Sequence, residues 1–124
     1  MALPPEVAQK VLVELQTKVV ETSRQLATVK AQISTRDREK KLSELTAKEL
    51  ESMGENVSAY RAVGKMFLQE PLTVLTKELR DRVDAAERDT KNLERAAVKL
   101  ERDLKDAQGS WQEVMHRAKK AEQE

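Results

Sequence analysis

A chain of 124 residues fits one domain, but 36% charged residues and a single Trp, Tyr and Phe are poor material for a globular core, so an elongated form is expected. A hydrophobic share of 39%, recurring at helical spacing, is too high for a disordered solvating tail. The formal charge of +1 gives no field toward nucleic acid or anionic lipid, and the lack of cysteine excludes disulfides and thiolate metal sites.

The first residues lack a basic-then-apolar leader pattern, and no apolar run reaches membrane-spanning length. The expectation is a cytoplasmic protein with neither nucleic acid nor membrane as partner. Pro4-Pro5-Glu6 reads as a helix start, because proline is tolerated in the first turn, where its missing N–H would have no partner anyway. The first helix is predicted over 6–45. Its apolar residues alternate at steps of four and three through Ala8, Leu12, Leu15, Val19, Thr22, Leu26, Val29 and Ile33, which is a heptad seam. Continuing the count reaches Arg36 and Lys40, so the seam turns polar there.

Thr46-Ala47-Lys48-Glu49 matches the capping box, in which the hydroxyl and the carboxylate satisfy open N–H groups at a helix start. A separate short helix is therefore predicted over 46–53, stopped by Gly54. Between 56 and 70 two short runs rich in β-branched and aromatic residues flank Gly64-Lys65, the pattern of a β-hairpin with a type II′ turn. Glu70-Pro71 then opens a second long helix, predicted over 71–122. Its seam runs Leu72, Leu79, Ala86, Leu93, Leu100, Ala107, Val114, Ala121, interleaved with Thr76, Val83, Thr90, Ala97, Leu104, Trp111 and Ala118.

The fold class is thus mainly α: a long antiparallel two-helix coiled coil joined by a short helix and one β-hairpin. Its core is assigned to Leu12, Leu15, Val19, Leu26, Val29, Ile33, Leu79, Val83, Leu93, Leu100 and Leu104. Flanking charges favour a register with Leu26 opposite Leu93, which pairs Lys30 with Glu87, Asp37 with Arg80, Lys18 with Asp103 and Glu39 with Arg82. A slip of one heptad, to Leu26 opposite Leu100, places Asp37 near Glu87 and Glu39 near Asp89. Exposed ion pairs contribute only about 0 to 1 kcal/mol each, so core packing is able to overrule this preference.

A lone two-stranded ribbon is marginal in water and leaves two open edges. Val57, Tyr60, Val63, Gly64, Met66, Phe67 and Leu68 are therefore assigned to assembly with other chains. The order of coil, short helix, Tyr60-Arg61-Ala62-Val63-Gly64-Lys65-Met66-Phe67-Leu68 and coil resembles the β-type subunits of the prefoldin family. The likeness covers nearly the whole chain, and the single hairpin separates it from the α-type, which carries two. This resemblance implies a hexamer of two α-type and four β-type subunits, with the hairpins contributed to an inter-subunit β-barrel. It also implies ATP-independent holding of unfolded clients such as actin and tubulin by the coil ends, and their delivery to the cytosolic chaperonin. Nothing in the chain looks like a phosphate-binding loop, and no cofactor is expected. The rival reading is a structural coiled-coil subunit of another assembly, a prefoldin-like module without a client.

Both termini would lie at the client-binding end, where Leu3, Val7, Val11, Trp111, Val114, Met115 and Ala118 are the candidates. Trp111 reads first as a seam residue packed on Ala8. Its other reading joins it to Val114, Met115 and Ala118 in a partly exposed strip, because in the favoured register the second helix overhangs the first beyond about Glu113. Methionine suits promiscuous contacts. Gly109-Ser110 is either a bending point or a tolerated surface pair. His116, the one histidine, has no second ligand at metal spacing and reads as solvated. Carboxylate pairs such as Glu49 with Glu51 and Asp81 with Asp84 have no pocket to shift their titration, so no enzyme activity is expected.

Overall fold

The computed structural model describes residues 4–54 and 56–123; Leu3, one of the client-binding candidates, lies outside them. Helix α1 spans Pro5–Ser52, strands β1 and β2 span Ala59–Val63 and Met66–Glu70, and helix α2 spans Leu72–Gln123. The class is mainly α with one antiparallel hairpin, as the heptads and the Gly64-Lys65 pair predict. The chain forms two compact units, one from the segments up to Ala31 and from Leu93 onward, the other from Gln32–Asn92.

In the first unit Ala8, Thr22, Leu26, Ala97 and Ala107 are buried. Leu12, Leu15, Val19, Val29, Leu93, Leu100 and Leu104 are half-buried, as a two-helix layer requires, since each seam residue is covered from one side only. Lys30 Nζ lies 3.7 Å from Glu101 Oε1. In the second unit Ser43, Ala47, Val83 and Ala86 are buried, with Ile33, Leu50 and Leu79 half-buried beside them. Arg36 reaches Asp89 at 3.8 Å, Lys40 reaches Glu87 at 3.0 Å and Arg80 reaches Glu51 at 3.0 Å. Partners on α2 fall in number as those on α1 rise, so the helices run antiparallel.

These pairs correct the predicted register. Lys30 meets Glu101 rather than Glu87, and Arg80 meets Glu51 rather than Asp37. Arg36 with Asp89 and Lys40 with Glu87 fit a slip of one heptad, while the partners of Lys30 and Arg80 lie fourteen residues from the predicted ones, so the helices are shifted by a heptad or more. A one-heptad slip brings Asp37 near Glu87 and Glu39 near Asp89, like charges that repel. Both crowded places hold a cation: Arg36 bonds Glu39 at 2.8 Å and also reaches Asp89, and Lys40 bonds Glu87 with Asp37 and Glu44 nearby. The hydrogen bond to Glu87, with the field of these carboxylates, raises the Lys40 pKa above its ordinary value and keeps it charged. Arg36 and Lys40 are seam residues that bridge acids on both helices.

The separate helix predicted over 46–53 is not formed, because α1 continues through it. The Thr46 hydroxyl donates to the Leu42 carbonyl at 2.8 Å, an interior helix contact, and so does not cap a new start. Restarting a helix costs a fresh nucleus, whereas continuing keeps Ser43, Ala47 and Leu50 on the seam. Thr46→Ala is therefore expected to leave thermal stability unchanged or raise it by a few tenths of a kcal/mol, because alanine is the better interior residue. A capping role would show instead as a loss of about 1 kcal/mol.

After α1, Gly54 adopts φ +81°, the left-handed conformation that ends helices with little strain only in glycine. In the hairpin Ala59 pairs with Glu70, Arg61 with Leu68 and Val63 with Met66. Gly64 has φ +61°, and among the described residues no non-glycine shares that sign. A positive first and a negative second turn residue is the type II′ pattern. Pro71 alone separates β2 from α2, and its carbonyl accepts the N–H groups of Val74 and Leu75 at 3.1 and 3.3 Å.

Candidate functional site

The hairpin offers the densest exposed apolar surface of the second unit. Pairing puts Tyr60, Ala62, Phe67 and Gln69 on one face and Ala59, Arg61, Val63, Met66, Leu68 and Glu70 on the other. On the first face Phe67 is 74% exposed and on the second Met66 is 71% exposed. Tyr60, Val63, Leu68 and the preceding Val57 are exposed too, while Gly64 sits in the turn with open space where a Cβ would project. Each face carries exposed apolar side chains, and among the described residues the sheet has two strands only. Unpaired strand edges and uncovered apolar faces are surfaces that another chain covers.

One part of the hairpin is tied down. The Arg61 guanidinium donates to a single Glu70 oxygen through Nε at 3.1 Å and Nη2 at 2.9 Å, and Nη2 also donates to Glu78 on α2. The hydrogen bond from Arg61 holds the Glu78 carboxyl below its ordinary pKa, and the two carboxylates raise that of Arg61. Sequence reasoning missed this cluster. Its only signal was a charged residue inside an otherwise apolar strand.

In the first unit the client-binding candidates are less open than the overhang argument made them. Met115 and Ala118 line a groove with Pro5, Ala8, Gln9 and Leu12, and so face α1 instead of extending beyond it. Trp111 is not packed on Ala8; it lines a second groove with Gln16, Val19, Val20, Gln108 and Gln112. Both corrections have the cause already given, since a seam shifted by a heptad or more brings every residue of α2 to a later residue of α1. Val7 is 45% exposed, Val11 and Val114 are half-buried, and so are Trp111, Met115 and Ala118. Apolar side chains half-covered by their neighbours line two shallow grooves next to the chain ends.

Among the described residues no group of three or more His, Asp or Glu side chains is placed to hold a metal ion, and no helix is long and apolar enough to cross a membrane. His116 is exposed. Of the carboxylate pairs, Glu51 is engaged by Arg80, while Glu49, Asp81 and Asp84 are exposed surface charges. Helix α2 passes through Gly109 unbroken, and a Cβ there would meet open space.

Comparison with known proteins gives one consistent result. The family model described as "Prefoldin subunit" matches residues 13–118. A protein named "Probable prefoldin subunit 1" from Dictyostelium discoideum is 32% identical over 104 residues, covering 84% of this chain and 90% of that one. "Prefoldin subunit 1" from Homo sapiens is 30% identical over 116 residues, covering 93% and 95%. The crystal structure of the prefoldin beta subunit from Thermococcus strain KS-1 superposes with a TM-score of 0.73 over 92% of this chain and 96% of that one, at 24% identity, a likeness of fold. With its paired heptad helices, its single open hairpin and a family match across most of its length, the chain belongs to the prefoldin subunit family.

Proposed function

We propose that this chain is one subunit of a hetero-hexameric, ATP-independent holdase in the cytoplasm, joined through its hairpin to two α-type and further β-type prefoldin subunits. In this reading the coil ends capture unfolded proteins such as actin and tubulin and pass them to the chaperonin. The observation that carries it is the hairpin, which presents exposed apolar side chains on both faces and strand edges that no other described strand pairs with. Shallow apolar grooves at Pro5, Ala8, Leu12, Met115 and Ala118 suit brief, low-specificity contacts with exposed apolar segments, and Met115 adapts to varied shapes.

The test is aggregation suppression by the chain assembled with its partner subunits. The assembly is expected to keep a denatured protein soluble without nucleotide. Val7→Asp, at an exposed position beside the groove, is expected to weaken capture about three- to tenfold by replacing apolar contact area with a charge, while leaving the assembly intact. An assembly that forms and suppresses nothing would replace this reading with that of a purely structural coiled-coil subunit.

A further inference from the structure

Of the ten strand residues in the hairpin, only Ala59, Arg61 and Glu70 are half-buried and the rest are exposed, so little apart from these three holds the ribbon to the rest of its unit. Two of the three belong to the Arg61 cluster. The ribbon joins α2 through a single residue, Pro71, whose ring fixes its own φ and keeps Glu70 extended but leaves the ribbon a range of angles about the joint. Glu70 lies before that joint and Glu78 after it. Arg61 Nη2 donates to both carboxylates, so one guanidinium bridges the joint. Arg82 adds positive charge near Glu78 from the same helix.

We infer that Arg61 is a positioning residue for assembly: by binding Glu70 and Glu78 it sets the angle at which the ribbon stands on α2 and is presented to neighbouring subunits. The inference rests on the assembly reading given above and names the residue that prepares the surface. Closed rings need the same angle at each contact, and an error at one joint is carried into the next subunit. The cluster is partly solvated, and such pairs add little to the stability of a lone chain, so its value lies in orientation. A guanidinium offers several donors in a fixed plane, whereas a lysine ammonium is a point charge on a flexible stem. Lysine at position 61 would keep the charge and lose the fixed fork.

The chain has no cysteine, so paired spin labels are placed without background through Lys65→Cys in the turn and Asp81→Cys on exposed α2. The full chain is expected to give a narrow distance distribution, and Arg61→Met a broad one, with Arg61→Lys also broad. Co-assembled with the partner subunits, Arg61→Met is expected to raise the concentration at which the complex dissociates about tenfold. Glu78→Gln in the same background is expected to add little further, because both changes remove one contact. A narrow distribution in Arg61→Met, or dissociation unchanged from wild type, would overturn the inference and leave the assembly reading standing. A wild-type chain that joins no partner subunits would instead overturn the assembly reading and this inference with it.

Discussion

A chain carrying Met66→Asp and Phe67→Asp is expected to fold as a coil and fail to enter the assembly. The two side chains are 71% and 74% exposed in the isolated chain, so replacing them removes almost no packing from it. In an assembly that covers them, each is worth about 1.5–3 kcal/mol of apolar burial, and two buried carboxylates add desolvation on top. The apolar loss alone is about 3–6 kcal/mol, or roughly a hundred- to ten-thousandfold in affinity. Size-exclusion chromatography with light scattering reads the assembly, and far-UV circular dichroism reads the helices. Undisturbed assembly of the double variant would remove the hairpin from the interface and sink the proposed function.

The second large effect falls on the coil. Ala47 has no exposed surface, because the helices of its unit approach closely where the seam carries a methyl group. Ala47→Glu puts a longer, charged side chain into that space, and the helices must part or the carboxylate must lose its water. Overpacking alone costs about 1–3 kcal/mol, and an unpaired charge adds to it, so a loss of about 3 kcal/mol or more is expected in denaturant unfolding. The control is Leu45→Ala, two residues away on the same helix and 62% exposed, which is expected to stay within about 0.5 kcal/mol of wild type. Similar losses for the two variants would show that α1 does not pack on α2 through Ala47.

The contrast between these neighbours shows what the sequence made legible. Leucine is the usual mark of a core, yet Leu42 and Leu45 face solvent while Ser43 and Ala47 lie on the seam. The heptad steps of four and three run from Ala8 to Ile33 and continue without a break through Arg36, Lys40, Ser43, Ala47 and Leu50. Composition hid the continuation, because the count met two cations and then a four-residue capping pattern. The spacing carried the correct information, and residue type misled. The hairpin was readable for the opposite reason: its turn depends on local backbone chemistry, in which Gly64 supplies the one conformation the turn demands.

Register was not legible from flanking charges. It turned on whether Arg36 and Lys40 counted as interruptions or as bridges to Asp89 and Glu87, and a list of flanking pairs omits that choice. The misplacement of Trp111 and the expected overhang at Met115 followed from the same error, not from separate ones. The Arg61 cluster was hidden more deeply. Arg61 meets Glu70 through the strand pairing and Glu78 only after the chain has turned at Pro71, so no sequence spacing marks the three as neighbours.

The alanine seam also governs how the chain responds to temperature. Alanine takes five of the nine buried positions among the described residues, Ala8, Ala47, Ala86, Ala97 and Ala107, with Leu26 and Val83 the larger apolar ones, and no large side chain there is fully buried. Separating such helices wets little apolar surface, and it is the wetting of apolar surface that gives unfolding its heat-capacity increment. A small increment flattens the stability curve, so the free energy holding the coil closed changes slowly between cold and heat. The coil therefore draws modest but even stability from small side chains, across the range in which proteins with large apolar cores pass through a pronounced optimum.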